Sequence, residues 1–230
     1  MRSFVVLPPN GRPHPHTFSP TPTLRYPLSR VRSFVVLSVA ALSATQLYPD
    51  GVRAVVYTEP DNSSEVVAHA CPSDLGARVQ RALGGSEAAG TQRRRLQTAR
   101  PQVACMVRSG ALLDDLRDLV ESDVLGISSS GFSVLAYYLR SPRRPTLVPV
   151  RHVAQFFEVF DGSDGRSVKR QLKRSSHTAE PPQNLLFVAK AIDDLVNATA
   201  TASEPGDDGQ REGSRAVQGV ADRLRLMLSD

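Results

Sequence analysis

The sequence predicts an α/β fold with a parallel sheet and flanking helices, and three observations support this prediction. Short runs rich in branched apolar residues alternate with segments of helical periodicity between residues 34 and 150. Such alternation is typical of parallel strands, because each crossover helix returns the chain to the same edge of the sheet. With 230 residues, 40% of them hydrophobic, the chain is also long and apolar enough to bury a core.

The first four predicted elements lie between residues 34 and 107. A helix at 34–47 ends at the turn signal Pro49-Asp50-Gly51, and the run VRAVVY at 52–57 has the composition of a buried strand. A helix at 74–83 ends at Gly84-Gly85, and VACMV at 103–107 is the next strand. The residues between them, 84–101, are rich in Gly, Ala, Gln and Thr and are predicted to form a flexible insertion.

Four further elements complete the predicted half-domain. Leucines and a valine recur at helical spacing from Leu112 to Val120, and a strand follows at 123–127. A helix at 132–139 should stop before Pro142, and 146–150 is the last strand of this region. We therefore expect a Rossmann-like half-domain at 32–160.

The regions on either side have different compositions. Residues 8–31 contain seven prolines and almost no apolar period, so 1–31 is expected to be a disordered or targeting segment. Residues 161–183 form a polar linker without a period. The tail, 184–230, is expected to be partly helical, with one helix at 184–198, a polar linker at 201–213 and a last helix whose apolar stripe runs from Val217 to Leu228.

The net charge of +5 belongs to the N-terminal region. Five arginines, no lysine and no acidic residue precede Asp50, so the rest of the chain is neutral overall. The chain is also only 6% aromatic, which leaves little for base stacking. We therefore expect no nucleic-acid partner.

The acid-free N-terminal region has several interpretations. The uncharged run at 33–49 is interrupted by polar residues and falls short of the ~20 apolar residues that a membrane span needs. It is interpreted as a buried helix of the fold, as a signal or anchor segment, or as the flank of a transit peptide. Both the secretory pathway, including the Golgi, and organelle import are compatible with this composition, and membrane association stays open.

Three further features of the sequence involve only a few residues each. The hexapeptide Arg-Ser-Phe-Val-Val-Leu occurs at 2–7 and again at 32–37, which is too few copies for a repeat architecture. Cys71 and Cys105 allow at most one disulfide and do not decide the redox compartment. His69 with Cys71 lacks partners at useful spacing, so we expect neither a metal ion nor a cofactor.

The most informative stretch is the turn that follows the strand at 123–127. Ser128, Ser129, Ser130 and Gly131 lie between this strand and the next helix. In open α/β sheets, ligands bind beyond the carboxyl ends of the strands, and a helix N-terminus there stabilises anions. The turn is therefore an anion-site candidate, although Ser130 as a simple N-cap explains the same composition.

This stretch resembles a known family. The order Asp123-x-Leu125-x-x-Ser128-x-Ser130-x-Phe132-Ser133 is similar to the donor-site segment of fucosyltransferase-like glycosyltransferases with a GT-B type fold. Two looser similarities to the same family are the strand ending Val55-Val56-Tyr57-Thr58-Glu59 and the segment from Leu147 to His152. The resemblance covers residues 32 to 153 and corresponds to the C-terminal, nucleotide-sugar-binding half of such enzymes.

The resemblance implies a donor site and a reaction. Ser128, Ser130 and Ser133 would lie near the diphosphate of a nucleotide sugar, with a GDP-linked sugar as one candidate, Phe132 would pack beneath the turn, and Glu59 would contact the ribose or base. The reaction implied is inverting transfer of the sugar to a hydroxyl acceptor, in which the catalytic base is not identified. The family's upstream His-x-Arg-x-Gly-Asp type motif, whose Arg meets the phosphates, does not occur in residues 1–50.

The alternative is a non-catalytic subunit or interaction protein. Such a protein would keep the fold and dock on a protein partner through the helices of 184–230. The missing upstream motif, the neutral charge beyond Pro49 and the apolar stripes of the tail favour this alternative.

Overall fold

A computed structural model describes residues 2–6, 28–58, 69–84, 102–127, 131–149, 184–200 and 207–229. In these ranges the chain forms six strands and six helices. In chain order they are β1 (Arg2–Val6), α1 (Leu28–Ala44), β2 (Val52–Tyr57), α2 (Leu75–Ala82), β3 (Val103–Arg108), α3 (Leu112–Glu121), β4 (Val124–Gly126), α4 (Gly131–Leu139), β5 (Thr146–Val148), β6 (Leu185–Phe187), α5 (Ala189–Ala200) and α6 (Asp207–Ser229).

The strands form one sheet in the order β3-β2-β1-β4-β5-β6, and every neighbouring pair is parallel. The predicted class, α/β with a parallel sheet and flanking helices, is therefore confirmed. β1 is a central strand, because Val6 is in register with Val56 on one side and with Gly126 on the other. The chain order reverses at β1, since β2 and β3 lie to one side of it and β4, β5 and β6 to the other.

Helices cover both faces of the sheet, and the side chains of strands β2 to β6 alternate between them. Ala54 and Val56 of β2 belong to a core cluster with α1, α2, α5 and α6. Val55 and Tyr57 of the same strand belong to a second cluster with α3 and α4. The apolar runs of the strands are therefore explained by burial on two faces.

Helix α1 is the centre of the first cluster. Its side chains from Phe34 to Leu42 are buried, including Ser38, whose hydroxyl donates to the carbonyl of Phe34 at 2.7 Å. Its C-terminal carbonyls, those of Ala44 and Thr45, accept hydrogen bonds from the guanidinium of Arg225 on α6 at 3.1 to 3.3 Å. A cation at this end stabilises the helix. The structure thus places the uncharged run at 33–49 largely within a buried helix of the fold.

The turn between α1 and β2 depends on a glycine. Gly51 has a φ of +104°, and a Cβ there would lie 2.2 Å from the backbone oxygen of Gln102. The same oxygen accepts a hydrogen bond from Val52 N at 2.9 Å. Only glycine can therefore adopt this backbone and let the chain enter β2 beside β3.

The structure corrects three expectations at the ends of the chain. Residues 2–6, expected within a disordered lead, form the central strand β1. Residues 185–187, expected within a helix, form the edge strand β6, and α5 begins only at Ala189. The last helix begins at Asp207, inside the stretch 201–213 that was expected to link the two tail helices. The sheet therefore extends beyond the expected half-domain at 32–160 in both directions. Expectations for 85–101 and 161–183 lie outside the described residues.

A disulfide joins Cys71, in the segment that leads into α2, to Cys105 on β3. It takes up both cysteines of the chain. The bridge connects the segment before α2 to β3, which is an edge strand of the sheet.

Candidate functional site

The carboxyl edge of the sheet is nearly flush. Tyr57 at the end of β2 is in register with Arg108 at the end of β3, and Val148 of β5 with Phe187 of β6. Segments that leave these strands therefore start side by side. This is the edge at which open α/β sheets bind ligands.

The turn between β4 and α4 begins beside the reversal of chain order. β4 pairs with β1 and, through Gly126, with Leu147 of β5. The N-terminus of α4, at Gly131, points toward this edge because the helix returns the chain to the start of β5. Its first turn has no acidic side chain, so the partial positive charge of the helix end is not offset there.

The described part of the predicted donor site consists of two side chains on α4. Phe132 is half-buried and packs against the second core cluster. Ser133 is completely buried, so its hydroxyl does not face solvent. Ser128, Ser130 and Glu59 lie outside the described residues.

The ends of β2 and β4 are close enough to serve one ligand. They flank β1, so they lie two strand spacings apart, or about 10 Å. Thr58, which precedes Glu59, still follows the sheet, since its N–H donates to the carbonyl of Arg108 at 3.0 Å. A ligand of nucleotide size can span the distance between the two strand ends.

A polar cluster lies where β2 and β3 end at this edge. The Tyr57 hydroxyl donates to Oδ2 of Asp118 on α3 at 2.9 Å, and the Arg108 guanidinium donates to the same oxygen at 2.8 Å. Burial, followed by the bond to Asp118, raises the pKa of Tyr57 above its usual value, so the phenol stays protonated. This cluster was not predicted from the sequence. The available signal was that Tyr57 ends one predicted strand and Arg108 directly follows the next.

The Tyr57 cluster is poorly placed to neutralise a diphosphate at α4. β3 is three strands from β4, which corresponds to about 14 Å. The guanidinium of Arg108 is also engaged with Asp118. We therefore interpret Tyr57, Arg108 and Asp118 as a bridge between β2, β3 and α3.

A deeply buried arginine, Arg140, lies at the opposite, amino edge. Arg140 follows α4 and donates through Nη2 to the carbonyls of Ser122 and Asp123 at 2.8 and 3.3 Å. Its Nε and Nη1 are buried, and the described part of the chain offers them no hydrogen-bond partner. Burial, with Arg144 nearby, lowers the pKa of Arg140 to about 10. Because α4 separates it from the carboxyl edge, Arg140 does not contribute to a donor site there.

The described residues offer no metal site. They contain no group of three or more side chains that could hold a metal ion. Cys71 is engaged in the disulfide, and Nδ1 of His69 lies 2.9 Å from the guanidinium of Arg32. An arginine can only donate, so this nitrogen accepts, and neither His69 nor Cys71 is disposed toward a metal.

The apolar stripes of the tail helices are part of the core. Ile192 and Leu195 of α5, and Val217, Val220 and Leu224 of α6, are buried in the cluster around α1. Among the large apolar side chains of these helices, Leu226 is exposed. Within the described parts of the chain, no helix combines the length and the apolar character needed to cross a membrane.

Comparison with known proteins does not identify a family. No protein-family model matches the chain. No curated protein matches it significantly.

Proposed function

We propose that this protein binds a nucleotide sugar at the carboxyl edge of a Rossmann-like sheet. The observation that carries the proposal is the position of the β4–α4 connection, which starts at the reversal of a 3-2-1-4-5-6 strand order. This is the strand order of dinucleotide-binding sheets, and their ligands bind in the crevice where the order reverses. The serine-rich sequence of this connection supports an anionic ligand.

The proposed chemistry is inverting transfer of the sugar to a hydroxyl acceptor. The acceptor oxygen attacks the anomeric carbon, the bond to the nucleoside diphosphate breaks, and the acceptor proton passes to a base. The N-terminus of α4 would stabilise the charge that develops on the departing diphosphate. Ser128 and Ser130 would bind the phosphates, Glu59 the ribose or base, and the buried Ser133 and Phe132 would hold the turn in place.

A thermal unfolding experiment tests the donor site. At a nucleotide concentration 100 times the Kd, binding adds about 2.7 kcal/mol, which should raise the Tm of a chain of this size by roughly 5 to 10 °C. GDP, UDP and GDP-linked sugars should be compared in parallel. Ser130→Ala should reduce the shift, whereas Ser141→Ala, just beyond the opposite end of α4, should leave it unchanged. If no nucleotide raises the Tm, or if both variants respond alike, the proposal is wrong.

The second candidate function is that of a non-catalytic interaction protein. Docking through 184–230 draws less support from the structure, because the apolar stripes of α5 and α6 pack against α1. A different surface favours a protein partner: Leu112 and Leu113 of α3 are 68% and 78% exposed. Leu112→Ser with Leu113→Ser should abolish co-purification of such a partner. For an interaction protein without a donor site, nucleotides should leave the Tm of the unmodified protein unchanged. Retention of the partner by this double variant would exclude α3 as the docking surface.

A further inference from the structure

The end of helix α5 carries an acceptor sequence for N-linked glycosylation. Asn197-Ala198-Thr199 satisfies the Asn-x-Ser/Thr pattern. The side chain of Asn197 is exposed, and it lies in the last turn of the helix. A glycan requires an acceptor at the surface, and this position provides one.

The geometry of α5 directs this asparagine away from the core. Ile192 and Leu195 are on the buried face of the helix. Asn197 is two residues beyond Leu195, which corresponds to about 200° of rotation. It lies on the same side of the helix as Lys190, seven residues earlier, whose side chain is highly exposed and pairs with Asp194. A glycan on Asn197 therefore projects away from the buried face of α5.

An independent observation concerns the cellular compartment in which the protein resides. The chain has two cysteines, and they form one disulfide, Cys71–Cys105. Disulfides persist in the secretory pathway and outside the cell, whereas cytosolic thiols are kept reduced. The bridge therefore places the folded chain in the type of compartment in which N-linked glycosylation takes place.

We propose that Asn197 carries an N-linked glycan in the native protein. In this modification the amide nitrogen of Asn197 attacks the anomeric carbon of a polyprenyl-diphosphate-linked oligosaccharide. A carbon–nitrogen bond forms, the bond between the anomeric carbon and the diphosphate oxygen breaks, and the proton of the amide passes to a base of the transferring enzyme. The hydroxyl of Thr199 is the element of the acceptor sequence that the enzyme must recognise. This modification does not depend on donor binding at the sheet edge.

Mass spectrometry of the protein from its natural source tests the proposal. Trypsin releases residues 191–211 as one peptide, and Asn197 is its only asparagine. Removal of the glycan by a peptide N-glycosidase in heavy-oxygen water converts the modified asparagine to labelled aspartate. We expect most copies of this peptide to carry the label. A peptide found only with an unmodified Asn197 would overturn the proposal.

Variants secreted from a eukaryotic host distinguish this acceptor from others. Asn197→Gln and Thr199→Ala should each remove the glycosidase-sensitive shift in electrophoretic mobility that is due to this site. Thr199→Ser should retain the shift, because a serine also satisfies the pattern. Asn62→Gln, at the other acceptor sequence, is the matched control and should leave the Asn197 glycan in place. If the shift survives Asn197→Gln in full and disappears with Asn62→Gln, Asn197 is not the acceptor.

Discussion

Removing the Cys71–Cys105 disulfide should cost a large part of the stability of this protein. The two cysteines are 34 residues apart, and the bridge restricts the unfolded chain over that whole segment. The entropy of closing a loop of this length corresponds to about 4 kcal/mol at 25 °C. Because domains are stable by only about 5–15 kcal/mol, the loss should be easily measured.

Urea unfolding of Cys71→Ser with Cys105→Ser measures the effect. With an m-value of about 2 to 3 kcal/mol/M, the midpoint should fall by roughly 1.3 to 2 M. Wild-type protein unfolded under reducing conditions should match the double variant, because both lack the cross-link. A double variant with an unchanged midpoint would refute the reasoning, and so would reduction that leaves wild-type stability intact.

Three further predictions concern the turn, the helix end and the strand edge. Gly51→Ala should destabilise the protein by at least about 1–3 kcal/mol, because the added Cβ would lie 2.2 Å from a backbone oxygen. Gly76→Ala should instead stabilise it by about 0.5–1 kcal/mol, since a Cβ there would meet nothing within 4 Å, and the urea midpoints of the two variants test both values. Arg225→Ala should cost about 1–2 kcal/mol in the same assay by removing the bonds to the end of α1, and Lys190→Ala, in an exposed ion pair, should have little effect. Because folding raises the pKa of Tyr57, this residue stabilises the protein below the unfolded-state pKa of about 10, and the contribution is lost as the pH rises further. Tyr57→Phe should therefore reduce the loss of stability at alkaline pH in unfolding measured as a function of pH, and an unchanged profile would exclude Tyr57 as the cause.

Local patterns predicted most of the described elements between residues 34 and 150. Strands β2 and β3 and helices α2, α3 and α4 lie within about two residues of the expected ranges. Burial on both faces makes the strands uniformly apolar, and amphipathic helices are recognised by the regular spacing of their apolar residues. The order of the strands was not predictable in this way, because pairing joins residues that are far apart in the chain.

In the tail, apolar residues of a strand and of a helix fall by coincidence at one helical spacing, although Leu185 is buried in the second core cluster and Ile192 in the first. Leu185, Val188 and Ile192 recur at helical spacing, yet the first belongs to β6 and the last to α5. A strand of three residues is too short to show alternation. Parallel pairing of Thr146 with Leu185 decides the strand, and that contact is not visible in the sequence.

The two copies of Arg-Ser-Phe-Val-Val-Leu show that local sequence preference alone does not decide between strand and helix. Residues 2–6 form β1, whereas the copy at 32–37 lies inside α1. The same side chains therefore adopt both structures, since propensity is weaker than tertiary context. In α1 the apolar run continues to Leu42 and is buried as one helix, while β1 is held by strands on both sides.

The position of β1 also bears on the proposed role of the serine-rich turn in ligand binding. Without β1 the connection after β4 would be one of several strand-to-helix turns, whereas with it the connection starts where the chain order reverses. A helix N-terminus supplies only about half an elementary charge, and a nucleoside diphosphate carries several negative charges. Arg108, about 14 Å away and paired with Asp118, does not make up the difference. Nucleotide binding by the described elements alone should therefore be weak and should decrease as salt screens the charge, so the thermal shift is best sought at low ionic strength.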